Sequence, residues 1–356
     1  MEKNKDLNGK KVLIIRLSAL GDTIHTLPLA NALKEEYPNI QIDWIVEDKA
    51  AKFVIKNPLI NKTYKIPSKK WKKLSIFKKI KSFIQIIRLL RRNKYDIIID
   101  TQQLLKSSLI MGLSKGKRKI SLDGGREGSW IFAKEIIKTG LKPFDINYHV
   151  VKRNLEIAKY LGCNNLNPKF IIPNFENEIS AEIKNIINSL DKSKKTIVLA
   201  PATTWKNKHW TIQGWLDLIN KFQDKYNLII TASEKEKTLT GEILSKANTN
   251  KIIDLSGKTT LADLTYLYGN VDLLISPDSG SAHIAWAAGK CKIITLFFAT
   301  SSGRTAPFGD KYFSVQAEIG CSPCMTKKCR FKKGKNRCCE KINSDKIISI
   351  VKNILQ

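Results

Sequence analysis

No apolar stretch in this chain approaches the roughly 18 residues that a membrane-spanning helix requires. The amino-terminal segment MEKNKDLNGKK lacks the apolar core of a signal peptide, and a strand-like run follows it at once. A secreted or integral membrane protein is therefore not expected. Acidic residues are scarce, 32 Asp and Glu against 62 Lys and Arg, which leaves a net charge of +30. That imbalance predicts attraction to polyanions or to an anionic surface. The chain also lacks a GxxxxGK[ST] phosphate loop and the glycine fingerprint of dinucleotide enzymes. It has no helix-turn-helix, RRM or KH signature, and its aromatics do not alternate with basic residues as stacking platforms would. The charge alone permits a basic nucleic-acid-binding protein, but no nucleic acid is expected as a partner. Short-period repeats and long low-complexity tracts are absent too.

What is present is a globular composition, 42% hydrophobic and 26% charged over 356 residues, long enough for two domains with separate cores. Strand-like and helical patterns alternate along nearly the whole chain. Apolar runs at Val12–Ile15, Ile40–Val46, Ile97–Asp100 and Arg118–Leu122 read as strands, with a helix from Thr23 to about Glu36 after the first. A polar, Pro-bearing stretch at 173–177 interrupts the pattern. It restarts with strands at Thr196–Ala200, Leu228–Thr231, Ile252–Leu255, Leu273–Ser276 and Lys292–Phe298, separated by helices such as Ile212–Tyr226 and Ala262–Gly269. Short apolar runs between helices indicate parallel sheets covered on both faces. The expected architecture is α/β: two doubly wound, Rossmann-like domains, 1–175 and 176–342, facing a central cleft, with a final helix in 343–356 capped by Ser344.

Three polar clusters stand just past the carboxyl end of a strand, where open parallel sheets bind ligands. The first is Ser18-Ala19-Leu20-Gly21-Asp22. Gly21 permits a tight turn or close ligand approach. Asp22 reads either as a helix N-cap, contributing about 0.5–2 kcal/mol, or as a carboxylate base. The second is Pro201–Trp210, in which Thr203, Thr204 and Lys208 offer hydroxyl donors and an ammonium to a phosphate. A solvated loop is the alternative. The third is Ser276–His283, where Asp278, Ser279 and Gly280 lead into a small-residue helix whose N–H groups and dipole favour an anion. His283, one turn into that helix, reads as a core histidine or as part of the site. Together the clusters place an acceptor on the first domain and a nucleotide-linked donor on the second.

From Lys62 to Lys94 there are 13 basic residues and no Asp or Glu. Within this stretch residues 76, 80, 83, 84, 87 and 90 are apolar at a helical period. The helix is expected to cover the sheet with that face and to leave a basic face in solvent. The alternative is an amphipathic helix lying on an anionic membrane. In the same basic stretch Lys69, Lys70, Lys72 and Lys73 are placed to contact phosphates or carboxylates of an anionic ligand. Near the carboxyl terminus, Cys321, Cys324, Cys329 and Cys338 have a spacing compatible with structural zinc, though with eight basic residues interleaved between 327 and 341. A redox-labile or disulfide-bonded loop is the alternative. Cys163 and Cys291 read as small buried apolar residues. No pair of acidic residues in the second domain is arranged for Mg²⁺.

The segments RLSALGDTIHTLP (16–28), WIVED (44–48), DTQQLLKSS (100–108), ATTWKNKHW (202–210), ASEKE (232–236) and SPDSGSAHIA (276–285) together resemble the lipopolysaccharide heptosyltransferases, glycosyltransferase family 9. The arrangement ATT-x3-KHW, with WIVED and GREGSW (125–130), is most similar to the first heptosyltransferase of inner-core assembly. The resemblance implies the GT-B fold and a metal-free, inverting transfer of heptose from ADP-L-glycero-β-D-manno-heptose to a Kdo sugar of lipid A. It implies a cytoplasmic enzyme, peripheral on the inner membrane, and needs no cofactor beyond the donor. By resemblance, Asp22 is the general base, and Thr203, Thr204 and Lys208 hold the diphosphate. Glu236 meets the adenosine ribose and Asp278 the heptose, with Ser279, Gly280 and His283 near the phosphates. Lys106 and Arg126 line the acceptor side with Ser18 and Gly21. Ala232 stands where the family has Gly, and FFATSSG (297–303) keeps only Thr300 of a usual Gly-Pro-Thr. The Cys-rich segment looks more like other branches, including the second heptosyltransferases.

Overall fold

A computed structural model describes residues 6–140, 145–247, 249–331 and 337–356. The chain divides into two compact units, 1–174 and 175–356. The first contains β1 Lys11–Ile15, β2 Gln41–Glu47, β3 Lys62–Ile66, β4 Tyr95–Asp100, β5 Gly116–Leu122 and β6 Glu135–Ile137. All pair in parallel, in the order β3-β2-β1-β4-β5-β6. The second contains β7 Thr196–Leu199, β8 Asn227–Ile230, β9 Ile252–Asp254, β10 Leu273–Pro277, β11 Lys292–Phe297 and β12 Tyr312–Gln316, parallel in the order β12-β11-β10-β7-β8-β9.

The central strands are the near-continuous Val, Ile and Leu runs that a sheet covered on both faces requires; Val12–Ile15 and Leu273–Ile275 have no solvent exposure. The strands absent from the sequence reading, β3, β6 and β12, all lie at sheet edges. There one flank lacks a neighbouring strand, and sequences such as KTYKI (β3) and YFSVQ (β12) carry no buried run.

The expected helix from Thr23 to Glu36 is two helices, Leu20–Ile24 and Leu27–Glu36. Pro28 sits in the first turn of the second, where its missing N–H breaks no helical bond; inside a continuous helix it would leave the Ile24 carbonyl unpaired. The last helix, Ser344–Ile354, is capped by Asn343, whose side chain accepts from Asp345 N at 2.9 Å. Ser344 instead donates to Asp217 Oδ2 at 2.6 Å on the helix Ile212–Phe222. This last helix inserts Ile347 and Val351 into the core of the second unit, beside Trp210, Trp215 and Phe222. Gly214 is required there, since a Cβ would stand 2.4 Å from the Trp210 ring.

Candidate functional site

In a doubly wound sheet the ligand crevice opens where consecutive connections leave in opposite directions. For the first unit that point lies between β1 and β4, and for the second between β7 and β10. The loops that follow these strands hold most of the residues singled out from the sequence.

After β1 the chain turns through Ser18 and enters the short helix Leu20–Ile24. Asp22 is its third residue, and the N-cap position is Ala19, which has no side-chain acceptor. Asp22 therefore does not cap from the N-cap position. Its Oδ2 reaches back to Ala19 N at 3.1 Å. Its Oδ1 pairs with Arg16 Nη2 at 2.9 Å, and the side chain keeps 41% of its exposure. One carboxylate thus does a helix-end job and remains open to solvent. Arg16 is buried at 9% and donates a second hydrogen bond, from Nη1 to the Thr101 carbonyl. The guanidinium is therefore clamped, and it fixes the direction of the carboxylate. Gly21 lies inside the helix without a left-handed φ, so no tight turn explains it.

After β4, Asp100 organises the neighbouring loop. It is fully buried and accepts from Gln102 N at 2.9 Å, Gln103 N at 3.1 Å and Ser107 Oγ at 2.9 Å. Burial pushes its pKa up to about 6 against the pull of these donors. The loop so fixed presents Gln102 Oε1 to the amides of Leu17 (3.1 Å) and Ser18 (3.2 Å). It also presents Lys106, whose ammonium lies 2.8 Å from Glu47 and 3.5 Å from Ser18 Oγ. Ser18, Asp22 and Lys106 are thus gathered at the β1–β4 crevice. Arg126 follows β5 and its amide donates to the Gln103 carbonyl at 3.2 Å. Lys69, Lys70 and Lys72 are exposed beyond β3 along the same sheet edge; Lys69 N donates to Asp48 Oδ2 at 3.1 Å.

In the second unit, Thr203, Lys208, Asp278 and His283 converge. Lys208 Nζ lies 2.9 Å from Asp278 Oδ2 and 2.5 Å from the Asp278 carbonyl. His283 Nε2 lies 3.4 Å from Asp278 Oδ1, and Thr305 Oγ1 donates to the same oxygen at 3.3 Å. Thr203 Oγ1 is 3.5 Å from the Asp278 carbonyl. Burial by itself would raise the Asp278 pKa; the Lys208 and His283 charges overcome it and hold the carboxyl well below its usual range. His283 is buried yet engaged with a carboxylate, so it belongs to this cluster rather than to an apolar core. Ser279 stands at the N-cap position of the helix Gly280–Ala288 without a side-chain capping bond, and its hydroxyl meets Ser276 Oγ at 2.8 Å. Lys208 also lies 5.3 Å from the centre of the Trp205 ring. Thr204 is exposed beside this group. Glu236 stands one strand over, after β8, and accepts from Ser233 Oγ at 2.6 Å.

The supporting roles of Arg16, Glu47, Asp100, Gln102 and Thr305 had no sequence signal of their own. Four of the five lie inside the quoted segments, but only the fold shows what each touches.

Cys321, Cys324, Cys329 and Cys338 line one cavity of about 280 Å³ with Asn207 and Arg337. Among the described residues no three His, Cys, Asp or Glu side chains are placed to hold a metal ion, so the spacing expected of a zinc site has no matching geometry. Residues 332–336, part of the interleaved basic run, lie outside the described residues. Cys163, Cys291, Cys321, Cys324, Cys338 and Cys339 are free thiols. Burial raises Cys163 and Cys291 to about 12, as for inert apolar thiols. A hydrogen bond from Cys339 holds Cys338 down at about 7.

The model of glycosyltransferase family 9 (heptosyltransferase) matches residues 83–335. The lipopolysaccharide core heptosyltransferase OpsX of Haemophilus influenzae is 30% identical over 319 residues, covering 87% of this chain and 85% of the relative. Lipopolysaccharide heptosyltransferase 3 of Escherichia coli is 28% identical, covering 79% of this chain and 80% of the relative. The solved structure of E. coli heptosyltransferase WaaC with ADP superposes with a TM-score of 0.73 at 20% identity, covering 96% of this chain and 99% of that one. This likeness supports the two-domain GT-B fold. The chain belongs to glycosyltransferase family 9, the heptosyltransferases, and is a glycosyltransferase.

Proposed function

We propose that this enzyme transfers a heptose from ADP-L-glycero-β-D-manno-heptose to the Kdo inner core of lipopolysaccharide, with Kdo2-lipid A as acceptor, inverting the anomeric centre without a metal. The observation that carries the reading is one of placement: an exposed carboxylate, Asp22, at the crevice of one sheet, and a buried ammonium–carboxylate–helix cluster, Lys208, Asp278 and Ser279–Gly280, at the crevice of the other. In this reading the acceptor hydroxyl attacks the anomeric carbon as its proton passes to Asp22. The bond from that carbon to the β-phosphate oxygen breaks, and its electron pair leaves with ADP. Proton removal during attack is worth about 10²–10⁴-fold. Lys208 and the N-terminus of the helix Gly280–Ala288 receive the growing negative charge, a fixed electrostatic term of the kind that usually contributes most. Thr203 and Thr204 bind the diphosphate, with Ser279, Gly280 and His283 near the phosphates; Glu236 binds the ribose and Asp278 the heptose. Ser18, Gly21, Lys69, Lys70, Lys72, Lys106 and Arg126 face the anionic acceptor.

The same reading places the enzyme on the cytoplasmic face of the inner membrane, in peripheral contact with its anionic surface. Among the described residues no helix is long and apolar enough to cross a membrane. The identity with heptosyltransferase 3 supports a second reading, in which the donor is the same and the acceptor is a heptose already added to the core. Incubation with ADP-heptose and either Kdo2-lipid A or its heptosylated product, in EDTA, decides by product mass. Mass gain of one heptose on Kdo2-lipid A establishes the first reading. Gain only on the heptosylated acceptor establishes the second, and gain on neither refutes both.

A further inference from the structure

The basic helix Ile76–Arg91 does not bury the apolar face that its periodicity predicts. Ile86, Ile87 and Leu90 pack on the sheet, but Ile76, Phe77, Ile80 and Ile84 remain 62%, 81%, 50% and 43% exposed. The reason lies in the length of the helix. Its carboxyl-terminal half lies over β1, β2 and β4, where Leu13, Ile15, Ile45 and Ile98 receive it. Its amino-terminal half has only Phe83 seated, against the ring of Trp71, whose Nε1 donates to Ser82 Oγ at 3.0 Å. At 100° per residue the four exposed residues form one stripe. Lys81 and Arg88 border it, and Lys78 lies farther round.

The position of the stripe matters. The helix follows β3 and precedes β4, so its amino terminus lies at the carboxyl edge of the first sheet, the edge that holds Ser18, Asp22 and Lys106. The adjoining helix, Leu105–Leu113, carries a turn on which Trp130 and Ile131 are also exposed, at 54% and 65%. Four large apolar side chains in water on one face of this helix, with Leu89 exposed at 45% on another, are not explained by the needs of the sheet.

We infer that the Ile76–Ile84 stripe inserts into the interface of an anionic phospholipid bilayer, docking the acceptor crevice against the membrane. Charge complementarity selects that occupant: the stretch 62–94 carries 13 basic residues and no acidic one. An apolar strip flanked by Lys and Arg is the pattern of a helix lying in the headgroup plane. A second protein copy would have to pair this cationic face with itself, and a nucleic acid would have no use for Phe77. The inference rests on the glycolipid-acceptor reading of the same unit. It commits to bulk phospholipid and not to the acyl chains of the acceptor.

The test is flotation of the full-length protein with acceptor-free vesicles, either pure phosphatidylcholine or phosphatidylcholine with 30% phosphatidylglycerol. Wild type is expected to float with the anionic vesicles and to bind neutral ones at least tenfold more weakly. Phe77→Ser/Ile80→Ser is expected to lose at least tenfold in anionic-vesicle affinity with unchanged circular dichroism and Tm, since neither side chain packs in the core. It should keep wild-type turnover on a soluble, delipidated acceptor. Equal flotation of wild type and variant overturns the inference, as does a wild type that ignores anionic vesicles. A wild-type dimer in sedimentation that the double substitution dissociates assigns the stripe to self-association and also overturns it. Vesicle binding without transfer to any acceptor would sink the functional reading and leave the docking face standing; transfer with equal flotation would do the reverse.

Discussion

Replacing Lys208 by Ala removes the ammonium that pairs with Asp278, a carboxylate whose side chain is 6% exposed. The two are 2.9 Å apart, and Lys208 is itself 12% exposed, so solvent screens the pair little. Breaking a buried pair by deleting one partner costs about 3–5 kcal/mol, because the remaining charge is stranded. His283, at 3.4 Å, and Thr305, at 3.3 Å, stay behind as partial compensation, which places the expected cost near 3 kcal/mol. For a unit of this size each kcal/mol moves Tm by about 2–4 °C, so the unfolding of the second unit should fall by roughly 6–12 °C at pH 7. The sign of the pH dependence follows from the direction of the Asp278 shift. In wild type the folded-state pKa is depressed, so the group stabilises above its unfolded value of about 3.9 and that contribution fades only as pH falls through the depressed value. In the variant burial dominates and raises the folded-state pKa, so Asp278 destabilises above about pH 4. The difference between the two proteins should therefore widen from pH 4 to pH 7. Differential scanning calorimetry across that range, with ADP titration by isothermal calorimetry, measures both consequences. Lys208→Met combined with Asp278→Asn should recover more than half of the lost stability and none of the ADP affinity. A loss below 1 kcal/mol at pH 7, or a gap that does not grow with pH, refutes the assignment of Lys208 as the buried counter-charge.

Asp22→Asn should lower transfer by about 10²–10⁴-fold while ADP binding stays at the wild-type value; near wild-type transfer removes Asp22 from the base role. Arg16→Lys replaces the clamped fork by a single point charge, so it should lower kcat by about tenfold or more with KM for the donor unchanged. A shift in donor KM instead would place Arg16 in binding. Asp100, raised to about 6 by burial, costs the first unit stability as pH climbs from about 4 to 6, at most about 3 kcal/mol. Asp100→Asn should flatten that dependence in urea titrations, and a wild-type unit whose stability is constant from pH 4 to 7 contradicts the burial argument.

The sheets were legible wherever their strands are interior. Val12–Ile15 and Leu273–Ser276 announce themselves because a strand enclosed on both faces must be apolar throughout, and that requirement is one of composition. The edge strands β3, β6 and β12 were not legible, since half-solvated backbone tolerates Lys, Thr and Gln. The site residues were legible as positions after strands, because a parallel sheet delivers its loops to one edge by topology alone. Their contacts were not. Arg16 and Asp22 meet only through the path of a loop, and Thr305 reaches Asp278 from 27 residues away. The basic helix misled for an instructive reason. Periodicity reports that one side of a helix is apolar, not what that side meets. A 16-residue helix is longer than the part of it that the sheet seats, so the overhang keeps its apolar residues in solvent.

The two crevices differ in how they treat charge, and the difference suits the two roles proposed for them. A group that receives a proton from a hydroxyl must be reached by it, and Asp22 is 41% exposed with one oxygen held by Arg16 and the other by Ala19 N. Its orientation is fixed from behind while its front stays wet. A group that holds a polyanion gains from the reverse arrangement, because the attraction between an ammonium and a diphosphate strengthens as water is excluded. Lys208 is 12% exposed, and in the free protein Asp278 occupies it. That carboxylate holds Lys208 in place without a bound anion, at the cost of competing with the ligand for the same ammonium. In the proposed reading a diphosphate arriving with two negative charges shares Lys208 with Asp278, drawing on the exposed Thr204 and the helix N-terminus at Gly280. On this argument Asp278→Asn, which withdraws the competitor but keeps its shape, should bind inorganic pyrophosphate more tightly than wild type and ADP-heptose more weakly, since only the sugar needs the carboxylate. Equal losses for both ligands in calorimetry would show that Asp278 serves the cradle itself and not the sugar.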